Sequence, residues 1–150
     1  MQDTDQRPLV FLDTNVLIEY LRGSSPASHL LSDKMLQRFR FAINPIVASE
    51  LLLSADAKEH TDELQRIQDV LEVLPVNDAE LAFFSKRMRE FRNKREFRNK
   101  MVHSNEILIS TTAAECDYLL TEDQVFKNLL ETEKPVILTT EEFLQNVERH

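Results

Sequence analysis

The sequence predicts an α/β fold with a mostly parallel central sheet covered by helices on both faces, in three layers. Three observations predict it. Short, almost wholly apolar runs such as Leu9-Val10-Phe11-Leu12 and Tyr118-Leu119-Leu120 recur along the chain, too short for helices and too evenly apolar for strands with one wet face. Between them lie stretches whose apolar residues recur at helical spacing. All five prolines and the single glycine fall at the joints of this alternation.

Each element follows in order. Pro8 to Leu12 is the first strand, stopped by Asp13. From Thr14 to Arg22, Val16, Leu17, Tyr20 and Leu21 mark one helical face, and Gly23 ends the helix. Ser24-Ser25-Pro26 is a loop, and Ala27 to Arg38 reads as a second, amphipathic helix. Phe41-Ala42-Ile43 is a strand running into Asn44-Pro45, an N-cap residue followed by proline at the first helical position, so a helix continues through Ile46 to Leu53. Thr61 to about Val70 is helical, and Leu71 to Leu74 is a strand ended by Pro75. Asp78 caps a long helix, and Asn105 to Cys116 forms the next by periodicity. Tyr118 to Leu120 and Val136 to Leu138 are the last two strands. Thr139-Thr140-Glu141-Glu142 is a capping box for a final helix.

The chain of 150 residues reads as one domain over residues 1–150, with no linker. Hydrophobic residues at 42% and charged residues at 29% exclude a disordered chain. No apolar run approaches the length of about 18 residues that a membrane span needs. Met1 to Asp5 lacks a basic region leading into an apolar stretch, so no secretory leader is expected. The lone Cys116 rules out an internal disulfide and cysteine-based zinc sites, and reads as a buried small hydrophobe in a cytoplasmic protein. His29, His60, His103 and His150 show no metal-ligand spacing, and only His103 lies near a candidate site residue.

The net charge of −8 is unevenly spread. Residues 85–100 hold eight basic side chains against two glutamates, so the other 134 residues carry −14. Within that basic segment Arg89-Glu90-Phe91-Arg92-Asn93-Lys94 recurs as residues 95–100. Six residues turn a helix by a net angle of about 240°, so the copies cannot share a face, and the helix either bends after Arg92 or projects as an arm. It reads as a solvated face with Glu–Arg pairs, as a surface on which Arg87, Arg92 and Arg98 grip RNA phosphates while Phe91 or Phe97 stacks on a base, or as a docking surface for an acidic or amphipathic protein partner, the last two uses being able to overlap.

Ligands of open α/β sheets collect at the carboxyl ends of the strands. Asp13 follows the first strand, and Thr121 and Asp123 follow Tyr118 to Leu120. Glu50 lies under two turns into the helix after Phe41 to Ile43, and Glu106 opens the helix before Tyr118. Four carboxylates can thus converge on one edge, beside Asn15 and Thr121, with no lysine or arginine placed to neutralise them. Such a cluster repels itself unless a hard cation joins it, and magnesium or manganese suits an all-oxygen donor set. Taken singly, Asp13-Thr14-Asn15 also reads as helix capping, and Glu50 or Glu106 as a surface residue.

Phe11-Leu12-Asp13-Thr14-Asn15-Val16-Leu17-Ile18 resembles the opening motif of the PIN-domain nucleases. Glu50 in Ala48-Ser49-Glu50-Leu51 resembles their second acidic position. Glu106 to Ala113 and Leu120 to Phe126 resemble the segments that carry their third and fourth. The resemblance spans roughly residues 8 to 140. The third position is usually aspartate and is Glu106 in this sequence; Asn105, turned about 100° round the helix, is the weaker claimant. The resemblance implies a PIN-like fold and a Mg²⁺- or Mn²⁺-dependent ribonuclease, commonly the toxin of a VapC-type toxin–antitoxin pair. Asp13, Glu50, Glu106 and Asp123 would bind metal, Asn15 and Thr121 would orient ligands or water, and an antitoxin protein and a second copy of the chain would be partners. In-line hydrolysis needs no nucleophilic side chain, and the sequence offers no convincing triad. A haloacid-dehalogenase-like phosphoryl-transfer enzyme would use Asp13 as nucleophile but expects a second aspartate where Asn15 stands. A receiver-like signalling domain would want paired acids near Asp13. A PIN-like binding domain that has lost its metal is a further alternative, raised by Glu106.

Overall fold

The computed structural model of the chain describes residues 5–76, 86, 89, 104–130 and 133–149. Among these, five strands form one all-parallel sheet: β1 (Leu9–Leu12), β2 (Arg40–Ile43), β3 (Glu72–Val73), β4 (Tyr118–Leu120) and β5 (Val136–Leu138), in the order β3-β2-β1-β4-β5. The helices are α1 (Thr14–Leu21), a 3₁₀ turn (Ala27–His29), α2 (Asp33–Arg38), α3 (Pro45–Leu52), α4 (Ala55–Glu59), α5 (Thr61–Val70), α6 (Ser104–Ala113), α7 (Val125–Leu129) and α8 (Thr140–Glu148). They cover the sheet on both faces, in three layers. Val10, Phe11 and Leu12 accordingly have no exposed surface, as a doubly covered central strand requires.

The helix termini follow local chemistry. Gly23 takes a left-handed φ of 70° just beyond the Arg22 C-cap and ends α1. Asn44 accepts from the amides of Ile46 and Val47, both at 3.1 Å, with Pro45 opening α3. Thr139 and Glu142 complete the capping box of α8. The face of α8 closes over β4 and the entry to β2, where the Phe143 ring meets Phe39 at 5.0 Å and Tyr118 at 5.4 Å between centroids.

Several boundaries differ from the sequence expectation. Ala27 to Arg38 is not one helix. Ser32 is extended, and its hydroxyl accepts from the Met35 amide at 3.3 Å, starting α2 afresh after the 3₁₀ turn. The strand expected from Leu71 to Leu74 shortens to Glu72 and Val73, the two residues in register with Ala42 and Ile43. The helix expected to reach Cys116 ends at Ala113, where the Glu115 and Cys116 amides switch to carbonyls three residues back. Helices α4 and α7 were not expected: each is five residues long, too short to show periodicity. The helix expected after Asp78 and the basic segment 85–100 lie outside the described residues, apart from Lys86 and Arg89, which are exposed.

The sheet order sets where a site can form. From β1 the chain proceeds to β2 and β3 on one side, while β4 and β5 lie on the other. The crevice between the carboxyl ends of β1 and β4 is therefore the point at which strand order reverses, the usual ligand position in such sheets.

Candidate active site

Parallel pairing of Leu12 with Leu120 puts the next residues of the two strands, Asp13 and Thr121, side by side. Both stay tied to the ladder: the Asp13 amide donates to the Leu120 carbonyl at 3.1 Å and the Thr121 amide to that of Leu138 at 3.0 Å. Asp13 is 6% exposed and Thr121 3%. The Thr121 hydroxyl donates to Asp13 Oδ2 at 2.7 Å and accepts from the Asp123 amide at 3.0 Å. One threonine thus holds the first acid and shapes the turn that carries the last. Asp123 Oδ1 in turn accepts from the Val125 amide at 3.0 Å, at the start of α7.

The other two acids arrive on helices. Asn44 places the start of α3 and also donates to the Leu108 carbonyl at 3.1 Å and to Thr112 Oγ1 at 3.0 Å, fixing α3 against α6. Glu50 on α3 then reaches the start of α1, where the Thr14 hydroxyl donates to Glu50 Oε1 at 2.7 Å. Asn105 Nδ2 on α6 lies 3.4 Å from Glu50 Oε2. Asp13, Glu50, Glu106 and Asp123 all line a single cleft of about 340 Å³, with Asn15 exposed at its edge. Ile18, Ile109 and Phe126 supply its apolar wall.

Asp13 is the electrostatically exposed member of this group, although it is buried from water. Burial pushes its pKa up to about 6, and the carboxylates of Glu50 and Asp123 push the same way. Hydrogen bonds from the Thr121 hydroxyl and the Thr14 amide oppose that rise without cancelling it. Among the described residues no lysine, arginine or histidine lines the cleft. A phosphoaspartate enzyme or a receiver-like domain would need a lysine there. Thr121 makes its two contacts as a positioning group. Arg87, Arg92, Arg98 and His103 lie outside the described residues.

The donor set suits a hard divalent cation, being carboxylate and amide oxygen throughout. The cleft is not a closed cage, however. Among the described residues no three His, Cys, Asp or Glu side chains stand close enough to hold one ion at once. Magnesium is commonly held by one or two carboxylates, with waters and substrate phosphate completing its shell, so an open acidic cleft matches that mode of binding.

The sequence reading misses the role of Thr14 and places Asn105 behind Glu106. Thr14 reads there as part of a capping sequence, yet its hydroxyl serves Glu50. The signal was a hydroxyl side chain immediately after the acid at a strand end. Asn105, the weaker claimant by its angle to Glu106, sits with it in the first turn of α6, whose end opens onto the cleft, and both line it. The capping reading of Asp13 holds only in part: its carboxylate accepts from the adjacent Thr14 amide at 2.8 Å rather than from the amides one or two residues further on.

A parallel sheet of this order, with acids at the crevice between β1 and β4, makes this an α/β domain with an acidic cleft at its topological switch point. The PIN-domain model matches residues 10–131, and the chain belongs to the PIN-domain family, whose members are nucleases that generally use divalent metal ions. No curated protein matches the sequence. Among solved structures, VapBC2 from Rickettsia felis bound to a DNA fragment from its promoter superposes with a TM-score of 0.62 at 19% identity, over 87% of this chain and 98% of that one. A toxin–antitoxin complex from Klebsiella pneumoniae gives 0.56 at 18%, covering 87% and 97%. FitAcB from Neisseria gonorrhoeae gives 0.57 at 18%, covering 88% and 98%. At such identities these likenesses concern the fold.

Proposed function

We propose that this chain is a Mg²⁺- or Mn²⁺-dependent endoribonuclease acting as the toxin of a VapC-type toxin–antitoxin pair. The observation that carries the reading is the single cleft lined by Asp13, Glu50, Glu106 and Asp123, with no cationic side chain among the described residues that line it. One or two of these four carboxylates at a time would hold the ion, with waters and substrate phosphate completing its shell. When bound, a divalent cation supplies an acidified water and offsets charge on the scissile phosphate. Asn15 at the cleft edge orients water or substrate. Thr121 keeps Asp13 turned toward the opening by its 2.7 Å hydrogen bond. The Ile18, Ile109 and Phe126 wall limits water on one side of the reacting phosphate. Arg87, Arg92 and Arg98 bind RNA phosphates, supplying the positive charge that a polyanion needs to approach so acidic a site. Membership of the PIN family supports nuclease chemistry, and the likeness to VapBC2 supports an antitoxin partner. We extend the same reading to a homodimer.

The test is cleavage of a single-stranded RNA in the presence and absence of Mn²⁺. The wild-type chain should cleave only with the metal, and a folded Asp13→Asn variant should not cleave at all. Cleavage that persists in EDTA, or an Asp13→Asn variant as active as wild type, overturns the proposal.

A further inference from the structure

We infer that Thr14 is a positioning residue of the acidic cleft, acting through Glu50; this rests on the metal-dependent reading given above. Thr14 is 8% exposed, yet its side chain is not spent on its own helix. Its hydroxyl donates to Glu50 Oε1 at 2.7 Å, across 36 residues of sequence, while its backbone amide donates to Asp13 Oδ1 at 2.8 Å. A single residue therefore grips two of the four acids, one through the main chain and one through the side chain. Glutamate has three side-chain torsions, and an unrestrained carboxylate on α3 has many rotamers open to it. The Thr14 bond selects those that aim Glu50 at Asp13, with Asn105 at 3.4 Å closing on the other oxygen. The hydroxyl is also oriented by what it leaves available: a carboxylate oxygen that accepts one hydrogen bond keeps a second lone pair for a cation. With the Thr121 link, a chain of contacts runs from Glu50 through Thr14, Asp13 and Thr121 to the turn of Asp123. Loss of an outer partner of a metal-binding carboxylate commonly weakens binding by at least tenfold.

The experiment measures Mn²⁺ binding by the full chain, by calorimetry and by the electron paramagnetic resonance signal of free Mn²⁺. Thr14→Ser keeps the hydroxyl and should bind as wild type does. Thr14→Val is nearly isosteric without it and should bind on the order of tenfold more weakly. Thr14→Ala removes the same hydroxyl with less bulk, and the same loss is expected should the valine variant not fold. In a Glu50→Gln background the Thr14→Val loss should vanish, which a general structural role of Thr14 would not produce. A wild-type chain that fails to bind Mn²⁺ overturns the metal reading and this role with it. A wild-type chain that binds, beside Thr14→Val and Thr14→Ala variants that bind equally well, overturns the role of Thr14 alone. A loss of the same size with Glu50→Gln already present also overturns it.

Discussion

Replacing Asp13 by asparagine should make the metal-free protein more stable at neutral pH. The ordinary aspartate value of 3.8 rises to about 6 at this position. That gap corresponds to about 3 kcal/mol. The folded chain holds the proton more tightly than the unfolded one, so this contribution is fully present below about pH 3.8, is lost as pH climbs to about 6, and stays lost above. Asparagine carries no charge and escapes that loss. Its amide oxygen still accepts from the Thr14 amide, but its NH₂ meets a Thr121 hydroxyl that now donates to Asp13, at a cost of about 1 kcal/mol. The balance is a gain of about 2 kcal/mol above pH 6 and near parity around pH 4.5. Urea unfolding followed by circular dichroism in EDTA, from pH 4.5 to pH 8, measures it directly. A stability difference that does not change with pH, or a variant less stable than wild type at pH 7.5, would refute the reasoning about this carboxyl group.

Other perturbations have equally definite outcomes. Asn44→Ala removes a buried cap and two further bonds to α6, and should cost about 2–4 kcal/mol by urea unfolding; a loss under 1 kcal/mol would show that water replaces the side chain. Gly23→Ala puts a side chain at φ 70° with open space around it, so the cost is backbone strain alone, about 1 kcal/mol, read from the shift in the unfolding midpoint. Reversing Arg87, Arg92 and Arg98 to glutamate should weaken RNA binding and flatten its dependence on salt. Unchanged affinity across a salt series would assign that segment another task.

The strands were legible because a doubly covered parallel sheet demands uninterrupted apolar runs. Tyr118 to Leu120 and Val136 to Leu138 match the sequence reading residue for residue. Caps were legible too, since Asn44-Pro45 and Thr139 to Glu142 encode their geometry locally. Failures cluster where tertiary or single-hydroxyl effects decide. Ser32 breaks a segment whose periodicity favours one helix, and α4 buries only Ala57 among its five residues, leaving no pattern to read. In the cleft, Asp13 and Asp123 are visible as residues following strands, Glu106 as one opening a helix, and Glu50 as one within two turns of a helix start. Their linkage through Thr14 is not, because it joins positions 36 residues apart and depends on how α3 meets α1. Asn105 lines the cleft together with Glu106, because the angle that separates neighbours in a helix middle matters less in a first turn that opens onto the cleft.

The order of the strands also has a consequence for biosynthesis. β1 emerges from the ribosome first but has the late strand β4 as one of its two neighbours, and the cleft draws on residues from Asp13 to Phe126. A nascent chain therefore carries no complete acidic pocket until the segment through Phe126 has cleared the exit tunnel, so translation products truncated before Asp123 lack the last of its four acids.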